Sequence, residues 1–520
     1  MELIQRQVHY TQEGKRTFDQ FYVDEDYNVP DTKEDVKQIV QGKGNVKVED
    51  LRLVENYLRV SGKLYFQILY VTDNAENAPA VLEGKIPFEE MVYIEGDDAG
   101  QYFIQNVRTE FTATLVHSRK VGIRALVEME IGMEKLADEE TTTDLESEVS
   151  VYKKISSGPS AGTAYNEERY IPDQGGDHVA RNKGECRTAS FDRRKQPETG
   201  NSSGTGRNAP DRRTSSYSVC TVPKREKTDW LEQSVPYEGR ISCDGVEESM
   251  YYSVQSTLDD PLVDVRLDED GEMRILGIEG TMNLRMNIYR EEELSLLEDV
   301  YSLEQNCKFE TREAVYEELL IQNHSKCKVS EKLLLPELKD DVLQICHSEG
   351  EMQVEHMEQT AQGMQVEGIL HLTFLYLRAD DVIPFGSWSG MIPFSWLLEC
   401  PNMTEDARHH ITWHVEQLSV GLAGSEAVEV KAVLAFDTFM RNPVFMNVIT
   451  DVEFEPVSME EVEKRPGIVG YVVKDGDDLW SLAKRYMTTE EGIRKVNGIE
   501  AGEPKAGDKL LIFKENMSIL

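Results

Sequence analysis

Basic residues are scarce in this chain, and the signals of export, membrane crossing and disulfide stapling are missing. Of 520 residues, 56 are Lys or Arg against 96 Asp or Glu, a formal charge of −40. A field of that sign repels phosphate backbones and anionic lipid, which argues against nucleic acid and bare membrane as partners. The plainer role of such acidity is to keep a multidomain protein soluble. The opening MELIQRQVHYTQEGKRTFDQF holds no apolar core of signal-peptide length and no small-residue cleavage site. No stretch is long and apolar enough to span a bilayer as a helix; the best run, Ile369 to Leu377, is short and strand-like. The seven cysteines (Cys186, Cys220, Cys243, Cys307, Cys327, Cys346, Cys400) are odd in number, and no two stand at CxxC spacing. Neither a disulfide framework nor a zinc knuckle is indicated, so the chain is expected to be cytosolic and reduced.

Catalytic signatures are equally thin. No phosphate-binding loop or dinucleotide fingerprint occurs. Gly158-Pro159-Ser160-Ala161-Gly162 matches a nucleophile-elbow string, but no apolar strand precedes it and no helix pattern follows. Among ten histidines the one cluster is His409-His410 with His414. On a helix His410 and His414 would share a face as zinc pairs do, but the surrounding pattern is that of a strand. Among 96 carboxylates no acid/base pair stands out. No enzyme, no cofactor and no metal site is expected.

What the chain does have is internal repetition. VPDTKEDVKQIVQGKGNVKVE, Val29 to Glu49, aligns without a gap on LPELKDDVLQICHSEGEMQVE, Leu335 to Glu355. The register holds through RVSGKLYFQILY and QVEGILHLTFLY, and again at GKIPF and GMIPF, always at an offset of 306 residues. Each copy continues into alternating strands, VGIRALVEMEI (Val121 to Ile131) and AVEVKAVLAF (Ala427 to Phe436). A partial third copy opens at Pro236-Tyr237 and runs to EMRILGIEGTMNL. Period-two alternation, as at Val60, Gly62, Leu64, Phe66, Ile68 and Tyr70, places one apolar face on a sheet. The DVKQI and DVLQI segments are expected to form single Asp-capped helical turns.

Residues 153–229 differ in kind. They carry 15 Lys+Arg against 10 Asp+Glu in a chain that is otherwise acidic, and Gly, Ser, Arg and Pro dominate. Two explanations stand side by side: a natural disordered linker, or the front half of the middle copy read in a shifted frame. The spacing from Pro172 to Pro236 is close to that from Pro30 to Pro87, so the missing half has room there.

After a charged connector comes GYVVKDGDDLWSLAKRYMTTEEGIRKVNGIEAGEPKAGDKLLIF. YVVK reads as a strand and Gly476-Asp477 as a turn. Asp478 can cap a helix with Leu479, Leu482, Ala483 and Tyr486 on its apolar side. Thr488 with Glu491 is a capping-box signature for a second helix, with Ile493 and Val496 inward. Gly507-Asp508 then turns the chain into KLLIF, completing a βααβ unit. Tyr471-Val-Val-Lys, Gly476-Asp477-x-Leu479, Ala483, Tyr486, Ile493, Asn497, Ile499 and Gly507-x-x-Leu510 closely resemble the LysM family. The resemblance implies a shallow groove that binds N-acetylglucosamine glycans, lined by Gly476, Asp477, Asp478, Leu479, Asn497, Gly498 and Ile499. Asp478 stands where that family usually has Thr or Ser, which makes the lip more acidic. Trp480 is either an aromatic anchor for a partner or a packed core residue.

The VSGKLYFQILY…GKIPF blocks resemble the SPOCS domain of spore-coat and spore-envelope proteins. SPOCS units followed by one LysM is the layout of clostridial SipL-type coat morphogenetic proteins. The resemblance implies a mother-cell protein at the forespore surface whose LysM module docks the coat-basement ATPase SpoIVA. Peptidoglycan binding through the same module is the competing reading. The fold class expected is mainly β: tandem SPOCS-type repeats and a terminal βααβ module. The division expected is repeat 1 at 1–152, an anomalous stretch at 153–229, partial repeat 2 at 230–320, repeat 3 at 321–456, a connector at 457–468 and LysM at 469–515.

Overall fold

The computed structural model describes residues 2–73, 79–94, 100–178, 194–196, 208–221, 229–242, 247, 250–338, 342–379, 383, 385–424, 426–457 and 466–514. In the first unit, β1 (Glu2–Glu13), β2 (Thr17–Asn28), β6 (Gln101–His117) and β7 (Lys120–Glu146) make one antiparallel sheet. The long β7 lies in its centre, with β1 and β2 on one side and β6 on the other. β3 (Val36–Val54), β4 (Tyr57–Thr72) and β5 (Pro79–Tyr93) make a second sheet packed over it. The alternation along β4 buries Leu58, Val60, Leu64, Phe66, Ile68 and Tyr70 between the two layers. At roughly 1.5–3 kcal/mol for each large apolar side chain taken from water, this row is a major source of the unit's stability.

The third unit repeats this plan. β15 (Val342–Thr360), β16 (Gly363–Arg378) and β17 (Phe385–Glu399) start and end at the positions of β3, β4 and β5, residue for residue at the 306 offset. The ladder irregularities recur as well: Val36/Gln38, Ile39/Gln41 and Val48/Asp50 correspond to Val342/Gln344, Ile345/His347 and Val354/His356. Bulges are conserved geometric features that bend a strand and raise its twist, so both sheets curve over their cores in the same way. Gly62 and Gly368 stand at matching positions, and a Cβ on either would lie 2.2 Å from the carbonyl oxygen of Lys47 or Gln353. The glycine is there because the neighbouring strand comes too close for a side chain. Behind this sheet, β14 (Gln305–Leu334), β18 (Arg408–Leu422) and β19 (Ala427–Pro456) repeat the ladder of the first unit, with β19 central.

Between them, β8 (Tyr152–His178), β12 (Tyr251–Leu267) and β13 (Met273–Tyr301) form a ladder of the same order with β13 central. β9 (Arg194–Gln196), β10 (Asn208–Thr221) and β11 (Asp229–Ser242) form a second sheet. The described backbone of the compositionally odd stretch is therefore strand; its remaining residues lie outside the description.

One local expectation is corrected. DVKQI forms no helical turn: β3 begins at Val36, and the matching segment enters β15. β-branched Val and Ile favour the extended ladder, and the single turn near the second copy is a 3₁₀ turn at Pro336–Leu338. The histidine cluster lies on β18, a strand, and among the described residues no group of His, Cys, Asp and Glu is arranged to hold a metal.

The C-terminal parts of the long strands converge on a common hub. Leu145, Leu297, Val300, Ile449 and Val452 bury one another there, one or two from each unit. Thr141 Oγ1 lies 2.6 Å from Tyr316 Oη, and Thr142 Oγ1 donates to the Ile449 carbonyl at 2.6 Å. Further along, Arg441, 2% exposed, donates to Glu317 at 2.5 Å and to Glu13 at 2.7 Å. Arg285 pairs with Glu134 beside it. These ion pairs border a cavity of about 40 Å³ where elements of all three units meet.

Candidate functional site

The terminal module is built as its sequence suggests and sits where its sequence could not say. β20 (Ile468–Val472) pairs antiparallel with β21 (Lys509–Phe513), and α1 (Leu479–Tyr486) and α2 (Glu490–Asn497) lie between them in sequence. Asp478 caps α1 by accepting from the Ser481 N–H at 2.8 Å. The cap of α2 is Thr489, one residue later than the Thr488 capping box suggests, and it accepts from Gly492 N–H at 3.0 Å. Thr488 still belongs to the end of α1, where its own N–H donates to the Ala483 carbonyl and Met487 is left-handed at φ 53°. Leu479, Leu482, Ala483 and Ile493 are buried in the module's core, whereas Val496, expected inward, is 45% exposed.

The module caps one end of the hub. Trp480 Nε1 donates to Asp299 Oδ2 at 2.8 Å, and Lys484 Nζ donates to the other oxygen of the same carboxylate at 2.5 Å. The indole stands edge-on against Tyr301, ring centres 4.9 Å apart, and the Tyr301 hydroxyl donates to the Thr488 carbonyl at 2.9 Å. Tyr152, stacked on Tyr301, and Leu303 complete the apolar contact. Of the two roles open to Trp480, its side chain adopts the packed one: it belongs to the joint between module and hub. Asp299, Tyr301 and Tyr152 were invisible in the sequence because the partners are 181 and more residues apart and no periodicity links them.

The residues expected to line a groove come from the loop before α1, the first residue of α1, the end of α2 and the two residues after it, and several of their polar groups bond within the chain. Asp477 accepts from Lys474 N–H at 2.8 Å and from the Tyr471 hydroxyl at 2.7 Å, which hold its carboxyl below the ordinary range. Burial pushes the Asp478 carboxyl up, but the Ser481 donor and Lys154, 3.8 Å away, outweigh it and hold it low. Leu479 is fully buried, so its side chain belongs to the module's core. Asn497 acts as a strand partner: its Oδ1 accepts from Leu511 N–H at 2.7 Å and its Nδ2 donates to the Leu511 carbonyl at 2.8 Å. Gly476 and Gly498 take φ of +85° and +65°, which a side chain would strain. The Gly498 and Ile499 N–H groups both donate to the Arg494 carbonyl, closing α2. Glu503, on the loop after α2, crosses to the N–H of Leu479 at 2.8 Å.

The side away from the helices is different. Ile468, Val472 and Leu511 are 42–54% exposed on the outer face of the β20–β21 sheet. Gly470 lies between them with open space where a side chain would be.

A family model described as SipL, SPOCS domain, matches residues 35–115 and 341–423, and a LysM domain model matches residues 471–513. The first two spans cover β3–β6 and β15–β18 and begin at equivalent positions of the two units. No curated protein and no solved structure matches the chain. The chain thus carries SipL-type SPOCS domains in two regions and a C-terminal LysM domain, the combination seen in its sequence. Both are binding domains, the first tied to sporulation and the second to glycan recognition.

Proposed function

We propose that this protein is a non-enzymatic scaffold of spore-coat assembly, in which three SPOCS-type units carry a LysM module that docks a coat morphogenetic protein. On this reading the division is 1–152, 153–229, 230–320, 321–456 and 469–515, and the protein works in the mother cell at the forespore surface. The partner is the coat-basement ATPase SpoIVA or a protein of its kind. The observation that carries the docking reading is the state of the groove: the Asp477 and Asp478 carboxylates, the Asn497 amide and the N–H groups of Asp477, Leu479, Gly498 and Ile499 are already paired within the chain. A glycan acetamido group must displace such pairs, and each displaced bond left unmade costs roughly 1–3 kcal/mol. A protein can instead use the half-exposed lip at Gly476–Asp478 and the apolar outer face at Ile468, Val472 and Leu511. Apolar side chains around an open glycine slot suit a packed interface core. Peptidoglycan binding is the second reading, favoured by the LysM match itself.

Pull-down from sporulating cells, with the full chain and with a chain lacking residues 467–520, tests this. The scaffold reading expects a coat protein to be recovered with the full chain and lost with the truncation. Equal recovery by both chains would move the docking site onto the repeats.

A further inference from the structure

Glu503 stands 52% exposed on the loop after α2 and bridges the groove. One carboxylate oxygen accepts from the Leu479 N–H at 2.8 Å, and the other accepts from Arg494 Nη2 at 3.1 Å. Arg494 Nη1 in turn donates to the Gly502 carbonyl at 2.6 Å, fixing the loop from behind. The bridge ties the first residue of α1 to the loop after α2.

We infer that Glu503 is the specificity-determining residue of the LysM module, an internal carboxylate that holds the groove closed against N-acetylglucosamine oligomers. It occupies the Leu479 N–H, a backbone donor at the mouth of an eight-residue helix where negative charge is favoured. An acetamido carbonyl is a neutral acceptor and competes poorly there with an intramolecular carboxylate, whose hydrogen bonds are about twice as strong. The negative charge is crowded as well. Burial raises the Glu490 carboxyl, and the nearby Glu503 and Asp478 raise it further. The bridge is not part of the module's core, which is formed by Leu479, Leu482, Ala483, Ile493, Leu510 and Ile512. Removing an exposed side chain therefore leaves no cavity, and it frees the donor.

This inference rests on the docking reading in one respect: it takes the natural groove to be closed to glycan. Full-length protein, wild type, Glu503→Ala and Glu503→Gln, is titrated with the N-acetylglucosamine hexamer by calorimetry, and amide hydrogen exchange is followed at Leu479. The expected result is an at least ten-fold tighter affinity in Glu503→Ala, accompanied by faster exchange at Leu479. Glu503→Gln keeps an acceptor for that N–H but loses the charge, so its exchange and affinity should fall between those of wild type and Glu503→Ala. A folded Glu503→Ala protein whose Leu479 amide exchanges freely but whose affinity is unchanged overturns the inference and leaves the docking reading standing. Tight binding of the hexamer by the wild-type protein itself, with Glu503→Ala no tighter, overturns both. Retrieval of the coat protein by Glu503→Ala should match wild type, which separates the two claims.

Discussion

Lys43 and Glu349 stand at equivalent positions of the first and third units, 306 residues apart, and pair with each other. Equivalent positions of the two units therefore meet directly, one on β3 and the other on β15. Two identical copies would set Lys against Lys or Glu against Glu at this point. The duplication has instead diverged to opposite charges, with Arg108 on the first unit near Glu351 and His371 of the third. Ser387 of β17 donating to the Val40 carbonyl at 2.6 Å adds a contact of fixed register.

That relation predicts a charge-swap rescue. The Lys43 and Glu349 side chains are 35% and 22% exposed, so the pair is screened and is worth on the order of 1 kcal/mol. Lys43→Glu and Glu349→Lys should each lower the urea midpoint, and the double variant should recover most of the loss. Additive losses would mean that the two units do not meet at this pair.

The module–hub joint makes a second prediction. Asp299→Ala leaves the Trp480 indole N–H and the Lys484 ammonium without their shared acceptor. Local opening of the joint should become easier by about 1–3 kcal/mol. Hydrogen exchange should then accelerate along α1 while amides of β7 and β19 keep their protection. Unchanged exchange in α1 would show that the Asp299 contacts do not hold the module on the hub.

A third prediction concerns acid. Burial is the largest influence on His410, which faces the central cavity, and it lowers the imidazole to about 4; Glu13 opposes the shift, while Arg16, Arg441 and Arg285 add to it. A base with a depressed native pKa binds a proton more readily when unfolded, so stability is full above the ordinary value near 6.5. It is lost as pH falls from there toward 4. His410→Gln should remove that part of the slope, on the order of 2 kcal/mol between pH 7 and 4. Identical pH profiles for wild type and variant would place the acid sensitivity elsewhere.

The repeat frame was legible in the sequence because it is written locally. Alternation along β4 and β16, Gly62 and Gly368, and the turn residues all act on near neighbours, and a fixed offset lets one copy check the other. The LysM core was legible for the same reason: Leu479, Leu482, Ala483 and Ile493 follow helical spacing. The errors came where tertiary context overrides local preference. Val36 joins a ladder although Asp35 could cap a turn, and Val496 faces solvent although its spacing suits a core. The joint at Trp480, Asp299 and Tyr301 and the bridge at Glu503 have no local signal at all. They exist because chain segments far apart in sequence meet.

The middle unit makes a fourth prediction. β10 occupies the central place that β4 and β16 hold in their sheets, yet Asn208 to Thr221 lacks the V-x-G-x-L pattern those two strands share. Under the shifted-frame alternative, the run Thr214-Ser215-Ser216-Tyr217-Ser218 would encode apolar residues in another frame. Read one base later, ACN and TCN codons become CNT, which includes leucine, and TAY before TCN becomes AYT, which includes isoleucine. Sequencing the locus should reveal a reading frame that restores an apolar strand before Trp230 through a one-base change. Codons for which no shifted frame yields such a strand would establish the stretch as natural.

The central claim is that the LysM module, fixed on a three-unit scaffold, reads a protein rather than a glycan. The most direct measurement compares the purified full-length chain on immobilised coat-basement ATPase and on purified peptidoglycan, as wild type and as the Val472→Glu, Leu511→Glu double variant. The account predicts wild-type binding to the ATPase, loss of at least ten-fold in the variant, and no more than background on peptidoglycan for either. Tight binding to peptidoglycan, with none to the ATPase and no effect of the double substitution, would contradict it.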